Sequence, residues 1–371
     1  MRLLIFIHSM GAGGAERVAA NMANHWAEKG WDVVIVTLVV QSHDVYPLHP
    51  AMRRIVLGKA GESGNPVVGL ARNVGRVIAL RRVLRRVSPD IALGMMTTAN
   101  VLVALAALGL RVRAVGSEHI HPPCFPLGRL WEALRWWGYG LLNAVTALTA
   151  ETAQWLEEHT RARRVAVIPN AIPWPIPSGE HWVDPSDCLA QGRKLLLAVG
   201  RLDPQKGFDL LIETFSRIAV NHPEWDLAIL GEGGEREALE CLMQAHSLEG
   251  RVSLPGWVGN VAQWYEAASL YVMSSRFEGF GNTLAEAMAC GLSAVSFDCD
   301  SGPRHIIRHE VDGLLVPPED VFSLAAALSR LMGDEDLRRR FASRAVEARQ
   351  QFSLEGIAVR WETLFEAVLT K

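Results

Sequence analysis

Cysteine is scarce: the chain has five in 371 residues, at Cys124, Cys188, Cys241, Cys290 and Cys299. Their number is odd and no spacing is that of a metal-ligand pair. A disulfide framework and a structural zinc site are therefore excluded, and free thiols in a reducing compartment are the expectation. Long hydrophobic runs are missing too. No stretch of about 18 uncharged apolar residues stands alone, which argues against a membrane-spanning helix. Residues 136–150 are the nearest approach and read as a buried or interfacial helix. The opening run, Leu3 to Ile7, ends at Gly11, Gly13 and Gly14. It is too short for the apolar core of a secretory signal and reads as a first β-strand. No internal repeat or low-complexity tract is present. No basic stripe or nucleic-acid motif accompanies the net charge of −3, so nucleic acid is not an expected partner.

The charge is unevenly spread. Residues 1–180 hold 19 Lys and Arg against 12 Asp and Glu, whereas residues 181–371 hold 18 against 28. A basic half joined to an acidic half predicts an anionic partner for the first half, either a membrane surface or a phosphorylated acceptor. The length exceeds one ordinary core, so two domains are expected. In the first half, strands Leu3–Ile7, Asp32–Val39, Ile91–Met95 and Arg113–Ser117 alternate with helices Ala15–Lys29, Val67–Val87 and Ala99–Leu108. In the second half the strands are Leu195–Val199, Leu227–Leu230, Val252–Leu254, Leu270–Met273 and Ala294–Ser296. Such alternation predicts two α/β, Rossmann-like domains with parallel sheets facing a central cleft. Between them Pro169, Pro173, Pro175, Pro177, Gly179 and Pro185 punctuate the best linker candidate. The domains are placed at 1–175 and 190–353, followed by an amphipathic helix over 354–371. Ligands in such sheets bind outside the carboxyl ends of the strands. Each motif below follows a predicted strand.

The most informative segment is Glu278-Gly-Phe-Gly-Asn-Thr-Leu-Ala-Glu286. It sets two carboxylates eight residues apart across a glycine-rich turn that enters a helix. The turn and the helix N-terminus, at Phe280, Gly281, Asn282 and Thr283, offer backbone N–H groups to a diphosphate. Glu278 is placed to accept from sugar hydroxyls and Glu286 from ribose hydroxyls. Upstream, Gly200-Arg201-Leu-Asp-Pro-Gln-Lys206-Gly207 supplies two cations. Fixed cations favour the charge that builds on a leaving phosphate. The loop Ser9-Met-Gly-Ala-Gly-Gly-Ala-Glu16 brings Gly13 and Gly14 close to any ligand after strand one. It does not fit the dinucleotide fingerprint, because the G-x-G-x-x-G spacing fails and no acidic residue ends strand two. Ser117-Glu118-His119 adds an imidazole, the side chain that titrates nearest neutrality.

Together these motifs resemble the donor site of the retaining family-4 glycosyltransferases, which have the two-domain GT-B architecture. The resemblance runs from about residue 3 to about residue 365. It is closest to bacterial members that extend lipid-linked oligosaccharides or surface polysaccharides. It implies a nucleoside diphosphate sugar, commonly a UDP-sugar, as co-substrate and no metal or other cofactor. Arg201, Lys206 and Glu278 would act with His119 near the donor sugar, and Gly13 and Gly14 would lie against its phosphate and sugar. Gly231 would sit beneath the nucleotide, Val258 would border the base, and the last helix would pack back on the N-terminal, acceptor-binding domain. Asp298-Cys-Asp300 has the spelling of a metal motif but lies in a variable loop before Gly302, and it is not read as one. His305 stands where many relatives carry an acidic residue.

Plainer readings stand beside these. The Gly13 and Gly231 loops serve equally as strand–helix turns. An Arg and a Lys in a loop are ordinarily solvated, and His121, His8 and His305 compete with His119. A sugar-nucleotide hydrolase or epimerase of the same architecture, or a non-catalytic sugar-nucleotide-binding scaffold, uses the same residues. Two stretches fit an anionic membrane surface. One is the helix holding Arg72, Arg76, Arg81, Arg82, Arg85 and Arg86. The other is Phe125–Tyr139, with Trp131, Trp136 and Trp137 beside Arg129 and Arg135. Each also fits a Rossmann helix with a solvated or buried face. The expected location is cytoplasmic, peripheral on the inner face of the membrane.

Overall fold

Strands made of consecutive aliphatic residues need both faces covered, and this chain supplies a helix after most of them. The computed structural model describes residues 1–11, 13–39, 45–58, 66–189 and 192–370. The chain divides into two units, Met1–Ala171 with Leu354–Lys371, and Ile172–Ser353.

The first unit runs β1 (Arg2–Ile7), α1 (Gly14–Glu28), β2 (Asp32–Thr37), β3 (Arg53–Val56), α2 (Pro66–Val87), β4 (Ile91–Met95), α3 (Thr97–Ala107), β5 (Arg113–Ser117), α4 (Arg129–Gly138), β6 (Ala144–Ala147), α5 (Ala150–His159) and β7 (Val165–Val167). All its strands pair in parallel, in the order β3-β2-β1-β4-β5-β6-β7. The apolar stretch over 136–150 is not one helix. Helix α4 stops at Gly138, a tight turn spans Tyr139–Leu141, and Ala144–Ala147 is a fully buried strand between β5 and β7. At Gly140 a Cβ would lie 2.8 Å from the Arg161 side chain, so the chain turns where Arg161 packs close, and a four-residue apolar run with Val and Thr suits a sheet interior as well as a helix.

The second unit runs β8 (Lys194–Val199), α6 (Phe208–Ile218), β9 (Trp225–Leu230), α7 (Arg236–Ala245), β10 (Val252–Gly256), α8 (Val261–Ala267), β11 (Leu270–Met273), α9 (Asn282–Ala289), β12 (Ala294–Phe297), β13 (Gly313–Val316), α10 (Val321–Gly333), α11 (Glu335–Ala345) and α12 (Ala348–Gln351). Its parallel order, β10-β9-β8-β11-β12-β13, repeats the winding of the first sheet. Phe208, Leu211, Ile212 and Phe215 form the buried stripe of α6, at the three-and-four spacing of an inward helix face. Full burial of each such side chain contributes on the order of 2 kcal/mol.

The proline-rich stretch folds onto the second unit. Gly179 N donates to Gly259 O at 2.7 Å, and the Asn260 amide pairs with Val183 N and O at 3.0 and 2.9 Å. Arg349 covers the Trp174 ring at 3.8 Å. Helix α13 (Leu354–Leu369) belongs to the first unit, where Trp361 and Phe365 meet Trp26 of α1. Among the described residues no helix is long and apolar enough to cross a membrane, and all five cysteines are free thiols.

Candidate functional site

In each sheet the winding reverses beside the first strand, between β1 and β4 and between β8 and β11, and the loops there splay apart into a crevice. In the second unit these are the loops after Val199 and after Met273. They are tied together by contacts across more than sixty residues of sequence. Lys206 Nζ lies 2.6 Å from Glu278 Oε1, with the two side chains only 16% and 8% exposed. Ser275 Oγ donates to the same oxygen at 2.7 Å. Among the described residues Glu278 Oε2 has no partner, so one edge of this buried carboxylate is left to accept from a ligand.

Arg276 fastens the loops. Its Nη1 donates to Pro204 O and Asp209 Oδ1 at 2.8 and 2.9 Å, and its Nη2 to Asp209 Oδ2 at 2.7 Å. The guanidinium hydrogen bond holds the Asp209 carboxyl below its usual range. Gln205 donates to Phe277 O at 2.9 Å, and Ser274 Oγ donates to Lys206 O at 3.0 Å. The approach is so close that position 207 admits only glycine. Its φ is 61°, and a Cβ would stand 2.1 Å from Ser274 O. Gly231 is under the same constraint from the loop after β9. It has φ 139°, and a Cβ would lie 1.9 Å from Gly200 O. The plain strand–helix turn at this position is thus a turn packed against the Arg201 loop.

Helix α9 begins at Asn282 after Gly281, which has φ 103° and no capping side chain. Its first N–H groups have no intrahelical partners, as at any helix start, and they carry the positive end of the helix dipole. Tyr271 Oη donates to Thr283 Oγ1 at 2.8 Å, and Thr283 Oγ1 reaches Val199 O at 3.2 Å, pinning this N-terminus to the end of β8. Burial pushes the Tyr271 hydroxyl well up, so it stays a protonated donor. Glu286 is buried, with Tyr265 Oη 3.2 Å from its Oε2. Phe280 is buried against Phe352, and Val258 is buried just beyond β10. The structure thus brings Lys206, Glu278, Gly281, Asn282 and Thr283 to one crevice. Arg201 is set apart from the buried pair: its side chain is 65% exposed and bonds to Asp203 Oδ2 at 3.0 Å. Asp298 of the Asp-Cys-Asp spelling pairs with Arg304 at 2.9 Å.

The first unit offers a site of a different kind. His119 is buried at the end of β5, its Nε2 3.0 Å from Ser117 Oγ. Desolvation lowers its pKa to about 4, so the ring is neutral at pH 7. Next to it Glu118 is buried, accepting from Tyr139 Oη and, at 3.0 Å, from Thr97 Oγ1. Burial raises the Glu118 carboxyl, and it raises the Tyr139 hydroxyl further. Asn100 completes the frame. It exchanges bonds with Ser117 O and N at 3.1 and 3.0 Å and donates to Tyr139 Oη at 3.0 Å. His121 is held away by Thr152 Oγ1 at 2.9 Å; His8 is exposed and His305 half-buried. Gly13 precedes α1 and Gly14 starts it, with the Glu16 carboxylate folded back over Gly13 and 3.2 Å from Ser9 Oγ. That carboxylate suits a hydroxyl-bearing ligand better than a phosphate.

Sequence reasoning missed Ser275, Arg276, Tyr271 and Tyr265 around the donor loops. It also missed Glu118, Tyr139 and Asn100 as one buried network. Arg276 had a signal, since it stands two residues before Glu278. The Tyr139–Glu118 contact had none, because nothing in the sequence announces a pairing across 21 residues.

The geometry can be set beside known proteins. Residues 12–173 match the family model "Glycosyltransferase Family 4", and residues 186–348 match "Glycosyl transferases group 1". The chain is 36% identical over 297 residues to an exopolysaccharide phosphotransferase of Streptomyces coelicolor, covering 79% of this chain but only 30% of that longer protein. It is 26% identical over 371 residues to a Campylobacter jejuni alpha-1,4-N-acetyl-D-galactosaminyltransferase. That enzyme is named for a diphospho-undecaprenol-linked trisaccharide extended by N-acetylgalactosamine, and the match covers 99% of both chains. Among solved structures, the Anabaena protein HepE in complex with UDP and glucose superposes with a TM-score of 0.77 at 21% identity, covering 98% of this chain and 99% of that one. On its fold and its two matching domains, the chain belongs to the GT-B glycosyltransferases, with a family-4 domain in its first half and a group-1 domain in its second.

Proposed function

We propose that the protein is a retaining, metal-independent transferase that moves a hexose or N-acetylhexosamine from a nucleoside diphosphate sugar, a UDP-sugar, to a hydroxyl of a membrane-associated glycan such as a lipid-linked oligosaccharide. The observation that carries this reading is the Lys206–Glu278 pair, its carboxylate buried and its ammonium half-buried, beside the N-terminus of α9. The ammonium and the helix N–H groups supply the positive charge that a divalent ion supplies in other transferases, aimed where a leaving diphosphate gathers charge. Glu278 Oε2 accepts from a sugar hydroxyl, and Glu286 from the ribose. Arg201, already exposed, closes on the phosphate from outside. Lipid-linked and UDP-bound relatives support this donor and acceptor class.

The basic first half and the exposed Trp136, Trp137, Leu130 and Phe125 support a place at an anionic bilayer. The test is a thermal-shift panel of nucleoside diphosphates and their sugar conjugates, with and without chelator, followed by transfer assays using the series that binds. A shift with one nucleotide series, unaffected by chelator, is the expected result. No shift with any nucleotide, or a shift abolished by chelator, overturns the donor site as described.

A further inference from the structure

A short hydroxyl chain leads to the imidazole in the first unit. Thr146 Oγ1 lies 2.8 Å from Ser117 Oγ, which lies 3.0 Å from His119 Nε2. Thr146 and Ser117 are sealed from solvent, and His119 is more than nine-tenths buried. The remaining ring nitrogen, Nδ1, is shut off from water and has no partner in the protein.

Each hydroxyl has one proton to give and can accept two, so Ser117 either passes the chain on in one of two directions or accepts from both neighbours, which would orphan its own proton and leave Nδ1 an orphaned acceptor. If Nε2–H donated to Ser117, Ser117 would donate to Thr146. The Thr146 proton would then be orphaned, and Nδ1 would be an orphaned acceptor as well. If Thr146 donates to Ser117 and Ser117 to Nε2, every proton in the chain is used. The one unsatisfied group is then Nδ1–H. An orphaned buried polar group costs about 1–3 kcal/mol, so the second direction is favoured.

We infer that Ser117 and Thr146 are positioning residues that hold His119 in the Nδ1–H tautomer, so that the ring meets substrate as a hydrogen-bond donor and not as a general base. Its counterpart is an acceptor oxygen of the substrate bound at this unit, either a sugar hydroxyl or a phosphoryl oxygen. Naming that counterpart rests on the transferase reading; the tautomer does not. Glu118, next in sequence, is committed to Tyr139 and Thr97 and leaves the ring alone.

The test uses the full chain with ¹⁵N-labelled histidine and long-range ¹H–¹⁵N correlation, with His119 assigned by its loss in His119→Asn. The expected spectrum at pH 7 shows Nδ1 protonated and Nε2 bare. Ser117→Ala and Thr146→Val should each admit the other tautomer, and Thr146→Ser should restore the original. A protonated Nε2 in the wild type, or an unchanged spectrum in Ser117→Ala, overturns the inference. Addition of UDP and then of UDP-glucose separates the two sources of the counterpart. A shift of Nδ1–H with UDP alone assigns a phosphoryl oxygen, a shift only with the sugar conjugate assigns a hydroxyl, and no shift with either overturns the substrate contact. In transfer assays His119→Asn, which keeps an N–H but no base, should stay within about tenfold of wild type, whereas His119→Ala should lose about 100-fold. Equal losses in the two would overturn the donor role. The spectra need neither acceptor nor turnover, so they stand or fall apart from the transferase reading.

Discussion

The two units share one winding and differ in the chemistry placed at its reversal. In the second unit the crevice is built from charge: Lys206 on Glu278, Arg276 on Asp209, and the N-terminus of α9. In the first unit it is built around a His119 ring kept neutral by burial and framed by hydroxyls and amides, beside a buried carboxyl whose pKa is raised. The same sheet therefore serves two electrostatic tasks. One crevice is prepared for an anion, and the other presents an uncharged imidazole. The loops, not the fold, decide which.

The largest effect that would break this comparison comes from Lys206→Met. It removes the cation and strands the buried Glu278. Transfer should fall by about 10³-fold or more, and chemical denaturation should show a loss of about 3 kcal/mol. Adding Glu278→Leu should recover most of the stability and none of the activity. A single variant as stable as wild type would mean the pair is not a buried ion pair in solution. Next is Gly207→Ala, which forces a Cβ into Ser274 O at a left-handed φ and should cost about 3 kcal/mol along with nucleotide affinity. Gly234→Ala, where a Cβ meets nothing, is the near-neutral control.

The neutral site is sharpened by pH. The folded His119 pKa of about 4 lies below its ordinary 6.5, so the unfolded chain takes the proton first. Stability due to this residue is full above pH 6.5, is lost as pH falls through the window to 4, and is flat below. Relative to His119→Gln, wild type should lose about 3 kcal/mol across that window. Glu118, with its raised pKa, contributes in the opposite sense but is common to both proteins. Parallel curves for the two would remove the buried neutral histidine.

The smallest effect concerns α2. Arg82, Arg85 and Arg86 are exposed, whereas Arg81 is used internally, donating to Ala106 O and Leu108 O at 2.9 and 2.5 Å. Replacing the three exposed arginines by Ser should change stability by less than about 0.5 kcal/mol and reduce sedimentation with anionic liposomes. Unchanged sedimentation would leave this face merely solvated.

Much of the second unit was legible because its chemistry sits in local motifs. A glycine-rich turn entering a helix, two carboxylates on either side of it, and a loop with Lys206 can each be read within ten residues. The strands β3, β6, β7 and β13 were not legible. They are three or four residues long, and so short an apolar run has no period of its own to announce. The partition of the cations was equally hidden. Arg201 and Lys206 look alike in the sequence, yet one is buried on Glu278 and the other is in solvent on Asp203.

By itself the sequence determined the alternation of strand and helix and the two parallel sheets, because these follow from side-chain periodicity over short spans. Tertiary structure alone decided which groups meet: Lys206 with Glu278 across 72 residues, Tyr139 with Glu118 across 21, and Thr146 with Ser117 across 29. Charge state, tautomer and pKa depend on those meetings and on burial, and neither is a property of any residue alone.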